Sequence, residues 1–148
     1  MTSATDFPSS LRWSVDHRPS DRAIQAVRHE LIAYNIATAA IDESSDIAVF
    51  IHDAQGQLMG GIVGTIWGQC VEISYLWVHP TLRGNGYGSK LLQTLEQEAR
   101  AQQCHSAILD TYSFQAPDFY QRLGYEVFGV IDGYPRGYQK VFLKKHLV

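Results

Sequence analysis

Three glycines at alternate positions, between a predicted strand and a predicted helix, constrain the fold of this chain more than any other feature. Residues 76–92 read LWVHPTLRGNGYGSKLL. Glycine tolerates positive φ and lets the backbone approach a ligand closely. The first turn of a helix has N–H groups without intrahelical partners and a positive potential. The segment therefore predicts a strand, a loop and a helix start that together bind an anionic phosphate group.

The sequence before this loop predicts a helix followed by an antiparallel meander. A short strand is expected at 11–15, and Ser20 or Asp21 can cap a helix that ends near residues 34–35. Residues 36–45 fit either a second short helix or an ordered loop. Three apolar segments separated by turn signals then predict the strands of the meander: 47–51, 58–67 and 71–78.

The sequence after the loop predicts a crossover to a parallel strand. A helix is expected over about 87–102, with Leu91, Leu92, Leu95 and Ala99 facing inward and Glu96, Glu98 and Arg100 facing water. Strand 106–111 can then pair in parallel with 71–78 through a right-handed connection. The remaining predicted elements are a short helix over 116–123 that Gly124 ends, and a final hairpin of strands 125–131 and 138–143.

Composition restricts the class of protein further. The 148 residues suit one domain, expected to span 1–148 with a flexible start at 1–8, and the net charge of −3 argues against nucleic-acid binding. Cys70 and Cys104 have no metal or disulfide spacing. No apolar run approaches the ~18 residues that suggest a membrane span. The polar first residues lack a signal pattern, so a cytoplasmic protein is expected.

The glycine spacing excludes two common phosphate-binding loops. A nucleoside-triphosphate loop needs G-x-x-x-x-G-K-[ST], whereas this chain has Gly88-Ser89-Lys90 in the wrong order. A dinucleotide fingerprint needs G-x-G-x-x-G, and the glycines at 84, 86 and 88 do not fit it. Asp110 superficially imitates the ribose-binding acid of that fold. A meander precedes the loop, however, where further βαβ units are expected.

Two motifs together resemble a known family. RGNGYG at 83–88 matches the pattern [Q/R]-x-x-G-x-[G/A], and APDFYQRLGY at 116–125 matches A-x-x-[F/L]-Y-x-x-x-G-[F/Y]. Both patterns are those of the GNAT superfamily of acyl-CoA-dependent N-acyltransferases, which the chain resembles over about 47–143. The resemblance implies an α/β (α+β) fold with a mixed, mostly antiparallel sheet of six or seven strands and about four flanking helices. Strands 71–78 and 106–111 would be its splayed parallel pair.

The resemblance also implies a binding site for acetyl-CoA, as co-substrate, and no metal. The loop amides would surround the diphosphate, Ser89 would add a hydroxyl, and backbone groups at the end of strand 71–78 would contact the pantetheine. Ser113 stands where many members have an asparagine that holds the pantetheine or the splayed strand, and its reach is shorter. The implied coenzyme-binding residues are Leu76, Trp77, Val78, Arg83, Gly84, Asn85, Gly86, Tyr87, Gly88, Ser89 and Ser113.

Three groups receive chemical roles from the resemblance. The N–H of Val78 would polarise the acetyl carbonyl. Tyr120 would be the general acid that protonates the departing thiolate, because a free tyrosine with a pKa of about 10 keeps its proton at neutral pH. An acceptor amine must lose a proton before attack, and Glu72 is the candidate base, with a water relay as the alternative. Strand alternation predicts Glu72 on one face with Ser74, Leu76 and Val78, and Tyr75 and Trp77 in the core on the other.

The resemblance implies two partners, acetyl-CoA and an amine acceptor, in direct transfer without an acyl-cysteine. It implies no nucleic acid and no membrane partner. The family often dimerises, so a homodimer is one option, and the sequence leaves the oligomeric state open. The alternative is a non-catalytic module that senses acyl-CoA. The acceptor pocket of this fold has no motif; its candidate lining residues are Tyr34, Asn35, Trp67, Tyr112, Tyr134 and Arg136.

Overall fold

A computed structural model describes residues 10–40 and 44–148 of the chain. The chain divides into two compact units between residues 41 and 42. The expected flexible start at 1–8 lies outside the described residues, as do residues 41–43 of the ambiguous segment. One domain over the whole chain stays a prediction.

The first unit contains helix α1, Asp21–Ala39. The Ser20 hydroxyl accepts the N–H of Ala23 at 3.2 Å, as expected for a cap. The helix ends at Ala40, in the left-handed conformation, whose N–H donates to Ile36 O at 3.0 Å. The helix thus runs about four residues beyond the predicted end. The predicted strand at 11–15 is wrong, because this segment has no strand partner and an isolated strand is not stable.

The second unit is a six-stranded sheet with two α-helices. The strands lie in the order β1-β2-β3-β4-β6-β5, and only β3 and β4 are parallel. This confirms the mixed, mostly antiparallel fold class, with three α-helices among the described residues where about four were expected. The elements of this unit are β1 Ser45–His52, β2 Leu58–Trp67, β3 Cys70–Val78, α2 Tyr87–Ala101, β4 Ser106–Tyr112, α3 Pro117–Arg122, β5 Glu126–Ile131 and β6 Lys140–His146.

The central strands β3 and β4 pair over only part of their length. Their parallel register begins at Cys70 opposite Ser106 and ends at Ile73 opposite Leu109. Beyond this point β3 continues to Val78 and β4 to Tyr112 without pairing to each other. The sheet therefore opens in its middle, and the backbone groups that face this gap have no strand partner.

Helix α2 covers one face of the sheet, here called the α2 face. The predicted inward residues are buried in the core: Leu91, Leu92, Leu95 and Ala99. The prediction that Glu96 faces water is wrong, because this side chain is only 2% exposed. Its carboxylate accepts the Tyr125 hydroxyl at 3.1 Å and the Lys145 ammonium at 2.9 Å. Helical periodicity could not reveal these partners, which lie 29 and 49 residues away.

A β-bulge changes which side chains of β3 face the core. Val63 pairs with Tyr75 but the next residue, Gly64, pairs with Ile73, so Ser74 is the extra residue. A Cβ at Gly64 would stand 2.8 Å from the carbonyl oxygen of Glu72, so glycine permits the approach.

The bulge makes the predicted alternation wrong. Leu76 and Val78 pack against the core on the α2 face, and Glu72 is exposed. Tyr75 and Trp77 are not core residues, because they are 74% and 43% exposed. An extra residue inverts the facing of every side chain that follows it. Glycines within strand 58–67, Gly64 among them, are typical of a bulge or a close backbone approach, but they do not show which residue of the facing strand is extra.

Candidate active site

The glycine loop presents backbone amides at the start of α2. Gly84 and Gly86 have φ of +77° and +82°, and a Cβ at either position would meet no atom within 4 Å. Lys90 N–H donates to Gly86 O at 3.0 Å and is the first such bond of the helix. The N–H groups of Tyr87, Gly88 and Ser89 therefore have no intrahelical acceptor. These amides and the open space beside them suit an anionic group.

Two side chains of the loop hold its shape. Asn85 Nδ2 donates to Leu82 O at 3.2 Å and to Arg83 O at 3.1 Å. Arg83 Nε donates to Val78 O at 2.9 Å and so fastens the loop to the end of β3. A preformed loop loses less conformational entropy when it binds a ligand.

A cleft of about 300 Å³ occupies the gap where β3 and β4 separate. Its walls are formed by residues 73–77 of β3, 109–111 of β4, 115 and 116 before α3, and 119 and 120 within α3. Gly88 of the glycine loop lies next to helix α3, because a Cβ at this position would be 3.4 Å from the ring of Phe119. The glycine loop and the cleft thus meet at α3.

The free amides of β3 point toward this cleft. His79 N–H donates to Met59 O on β2 at 2.8 Å. Successive N–H groups of a strand point to opposite sides, so those of Val78 and Leu76 point away from β2, toward the gap. A donor in such a gap can bind a carbonyl oxygen. Val78 itself is not part of the cleft wall, and it lies at the end of β3, where this strand pairs with β2 and not with β4.

Tyr120 lines the cleft from α3. Its ring packs edge-on against Phe119 and Tyr125, with centroids 5.0 Å and 5.8 Å away. The residue is 8% exposed, and burial raises the pKa of its phenol to about 12. The Tyr120 hydroxyl has no hydrogen-bond partner among the described residues. Because every fully buried side-chain polar atom in those residues has a partner, this hydroxyl is not fully buried. The hydroxyl therefore opens onto the cleft as a protonated donor.

Two predicted site residues have other surroundings. Glu72 lies on the paired part of β3, opposite Ile108, and is not part of the cleft wall. The Ser113 hydroxyl accepts the Gln139 N–H at 3.0 Å, and Ser113 N–H donates to Gln139 O at 2.9 Å. Ser113 thus connects the end of β4 to the segment that enters β6. Trp77 does line the cleft.

Sequence reasoning missed two polar residues of the cleft wall, Asp110 and Gln115. Gln115 Oε1 accepts both Thr111 Oγ1 and Tyr112 N–H at 2.9 Å, which folds the chain between β4 and α3. Asp110 directly follows the last β4 residue that pairs with β3. Their position depends on where this pairing ends, which no local pattern reveals.

The structure brings together some candidate acceptor-pocket residues. The rings of Tyr112 and Tyr134 are in edge contact, with centroids 5.1 Å apart. Arg136 is exposed and has a φ of +60° in the loop before β6. Trp67 lies at the far end of β2, while Tyr34 and Asn35 belong to the first unit. None of these residues lines the described cleft.

The described part of the chain contains neither a membrane-spanning helix nor a metal-binding cluster. No helix within 10–40 and 44–148 is long and apolar enough to cross a membrane. No group of three or more side chains in these ranges has the composition and spacing to hold a metal ion.

Comparison with known proteins places the chain among acetyltransferases. Residues 10–125 match the family described as "Acetyltransferase (GNAT) family". The blasticidin-S acetyltransferase of Streptomyces morookaense is 39% identical over 101 residues, 68% of this chain and 74% of the relative.

Solved structures show the same fold. An acetyltransferase from Bacillus cereus ATCC 14579 is 29% identical, with a TM-score of 0.76 over 90% of this chain and 97% of that chain. An aminoglycoside 6'-N-acetyltransferase complexed with coenzyme A shares 19% identity and a TM-score of 0.61, over 87% and 82% of the two chains, and so shows likeness of fold alone.

Proposed function

Because this chain belongs to the GNAT family of acetyltransferases, we propose that it transfers an acetyl group from acetyl-CoA to a primary amine. The amine of a small molecule or peptide attacks directly in a ternary complex. The observation that supports this proposal is the cleft itself, because its wall includes Tyr120 and Leu76, which lies where β3 no longer pairs with β4, and because it borders the glycine loop through Phe119.

In this proposal the coenzyme lies along the gap between β3 and β4. Its diphosphate binds the free amides of residues 84–88 and the Ser89 hydroxyl, where the positive end of α2 favours negative charge. Its pantetheine arm pairs with the backbone of Leu76 to Val78, which has no strand partner on that side. Ser113 is proposed to act through the end of β4, since its hydroxyl is bonded to Gln139.

The chemistry then needs one donor, one acid and one base. The Val78 N–H stabilises the negative charge that develops on the carbonyl oxygen. The amine nitrogen forms a bond to the carbonyl carbon, the C–S bond breaks, and Tyr120 donates a proton to the thiolate. Glu72 is proposed to accept the amine proton through water, because it lies outside the cleft wall. An acceptor that arrives as an ammonium ion loses two protons in all: one leaves through water and Glu72, and the other restores the proton that Tyr120 gives to the thiolate. The ammonium ion and the thioester thus yield the amide, the free thiol and one released proton.

One relative supports a small-molecule acceptor. The blasticidin-S acetyltransferase is 39% identical to this chain over the aligned region. Retention of both the glycine loop and Tyr120 favours turnover over the alternative of a non-catalytic acyl-CoA sensor. A cytoplasmic location stays a prediction from the sequence, and a homodimer stays one option.

Two measurements test the proposed function. Micromolar acetyl-CoA is expected to raise the melting temperature and to give binding heat. A thiol-release assay across polyamines, aminoglycosides, amino acids and lysine peptides is expected to find at least one acceptor. Absence of any coenzyme binding would contradict the site, whereas binding without turnover of any amine would favour the sensor.

A further inference from the structure

The cleft wall contains a single charged side chain. Of the twelve residues that line the cleft in the described part of the chain, Asp110 is the only one with an acidic side chain, and none has a basic side chain. An alkyl amine is mostly an ammonium ion near neutral pH, because its pKa is near 10.4. A cation that enters a cleft in the sheet is most stable beside a carboxylate.

Asp110 and Tyr120 belong to opposite sides of the sheet. The neighbours of Asp110 along β4, Leu109 and Thr111, are buried on the α2 face. Side chains alternate along a strand, so Asp110 points to the other face, where its side chain is 39% exposed. Tyr120 is packed against the buried Tyr125 on the α2 side. The cleft wall therefore includes residues from both faces of the sheet, with Tyr120 on the α2 side and Asp110 on the other side.

Lys140 fixes the orientation of the Asp110 carboxylate. Its Nζ lies 3.2 Å from Asp110 Oδ1 and 5.9 Å from the centre of the Tyr112 ring. The hydrogen bond and charge of Asp110 raise the pKa of Lys140, so the lysine stays a cation. The closest approach of the pair is made by Oδ1. The ion pair thus orients the carboxylate, which is still 39% exposed and accessible to a second cation.

We propose that Asp110 binds the ammonium group of the acceptor with its carboxylate, on the side of the cleft opposite α2. The inference rests on the proposed function and names a substrate class for it: a small basic amine that arrives as a cation. Tyr75 and Trp77, exposed on the same face and part of the same wall, offer ring surfaces to the acceptor. Asp110 is a binding residue in this scheme, and proton removal is left to Glu72 and water.

Calorimetry with a matched pair of probes tests the inference. Benzylamine and benzyl alcohol have nearly the same shape, but only the amine is charged at pH 7. Each is titrated into the full chain with coenzyme A present, which lacks an acyl group and so permits no turnover. Benzylamine is expected to bind at least about tenfold more tightly, since hydrogen bonds to charged groups are the stronger class. In Asp110→Asn the two probes are expected to bind equally, with coenzyme A affinity within about threefold of wild type.

Glu98→Gln is the matched control, because it removes an exposed carboxylate from α2 outside the cleft. It should keep the full preference for benzylamine. Equal binding of the two probes to the wild type would overturn the inference even if Asp110→Asn did not fold, and so would a preference that survives in Asp110→Asn. Failure of coenzyme A itself to bind the wild type would instead overturn the proposed function, and this inference with it.

Discussion

The hydroxyl of Tyr125 donates a 3.1 Å hydrogen bond to the buried carboxylate of Glu96. Tyr125 also donates its backbone N–H to Tyr120 O at 3.0 Å. Lys145 of β6 and Arg100 of α2 complete the surroundings of the carboxylate, at 2.9 Å and 3.6 Å. Helix α2, strand β6 and the turn after Tyr120 are therefore joined through one buried charge.

Glu96→Gln should destabilise the protein by about 2–3 kcal/mol, because the Lys145 ammonium loses its charged partner in a mostly buried place. Urea unfolding followed by circular dichroism measures this change. Glu98→Gln, two residues further along the same helix but exposed, should change stability by no more than about 0.5 kcal/mol. Equal effects of the two variants would contradict a structural role for the Glu96 network.

Gly64→Ala should destabilise the sheet at the bulge. The new Cβ would stand 2.8 Å from the Glu72 carbonyl oxygen, and backbone cannot yield as a side chain can. We expect a loss of about 1–3 kcal/mol in unfolding free energy, typical of overpacking. Gly129→Ala on β5 is the control, because its Cβ would meet only the Phe142 side chain at an ordinary 3.7 Å. A neutral Gly64→Ala would show that the bulge does not depend on this contact.

Gly86→Ala should weaken coenzyme A binding by at least about tenfold, because the methyl group would enter the space beside the loop amides. It should also lower stability by about 1–2 kcal/mol, since φ is +82° there. Gly133→Ala is matched for strain, with φ +93° and an equally open site, but lies in the loop before β6. It should lose similar stability and keep coenzyme affinity. Equal affinities in both variants would argue against the loop as the diphosphate site.

The sequence predicts most of the fold because local patterns determine most of it. The glycine loop, the leucine stripe of α2 and the meander all follow from spacing within about fifteen residues. The differences between the predicted and the observed structure arise from contacts between residues that are distant in the sequence. Glu96 is buried by Tyr125 and Lys145, and the bulge at Ser74 depends on the facing strand.

The candidate site divides in the same way. Tyr120 and the loop amides belong to contiguous motifs. The structure places Tyr120 in the cleft wall and the glycine loop before α2, and the roles of both stay predictions. The cleft residue Asp110 has no motif, because its position follows from where β3 and β4 cease to pair. Glu72 directly precedes Ile73, the last β3 residue that pairs with β4, and lies beside the cleft wall and not within it.

Stability should fall as pH rises from about 10 to about 12. Burial raises the pKa of Tyr120 to about 12, whereas an unfolded tyrosine ionises near 10. As pH rises, the unfolded chain therefore loses this proton before the folded chain does. The contribution of Tyr120 to the free energy of unfolding is complete below pH 10. It falls by about 3 kcal/mol as the pH rises through 12. Burial and the neighbouring Glu96 charge also raise the pKa of Tyr125, in the same direction. Urea unfolding at pH 9, 10 and 11 should show a shallower decline for Tyr120→Phe than for the wild type.

Tyr120→Phe should lower turnover by about 100-fold or more while coenzyme affinity changes by less than about threefold. Phenylalanine keeps the ring contacts with Phe119 and Tyr125 but cannot donate a proton to the thiolate. Because the phenol pKa is about 12, the wild-type rate should not fall through ionisation of Tyr120 below about pH 11. Thiol release and calorimetry separate the two effects. Tyr138→Phe, in the exposed loop before β6, is the control and should retain turnover. If Tyr120→Phe turns over as fast as the control, the proton must reach the thiolate from solvent, and Tyr120 then only packs the cleft.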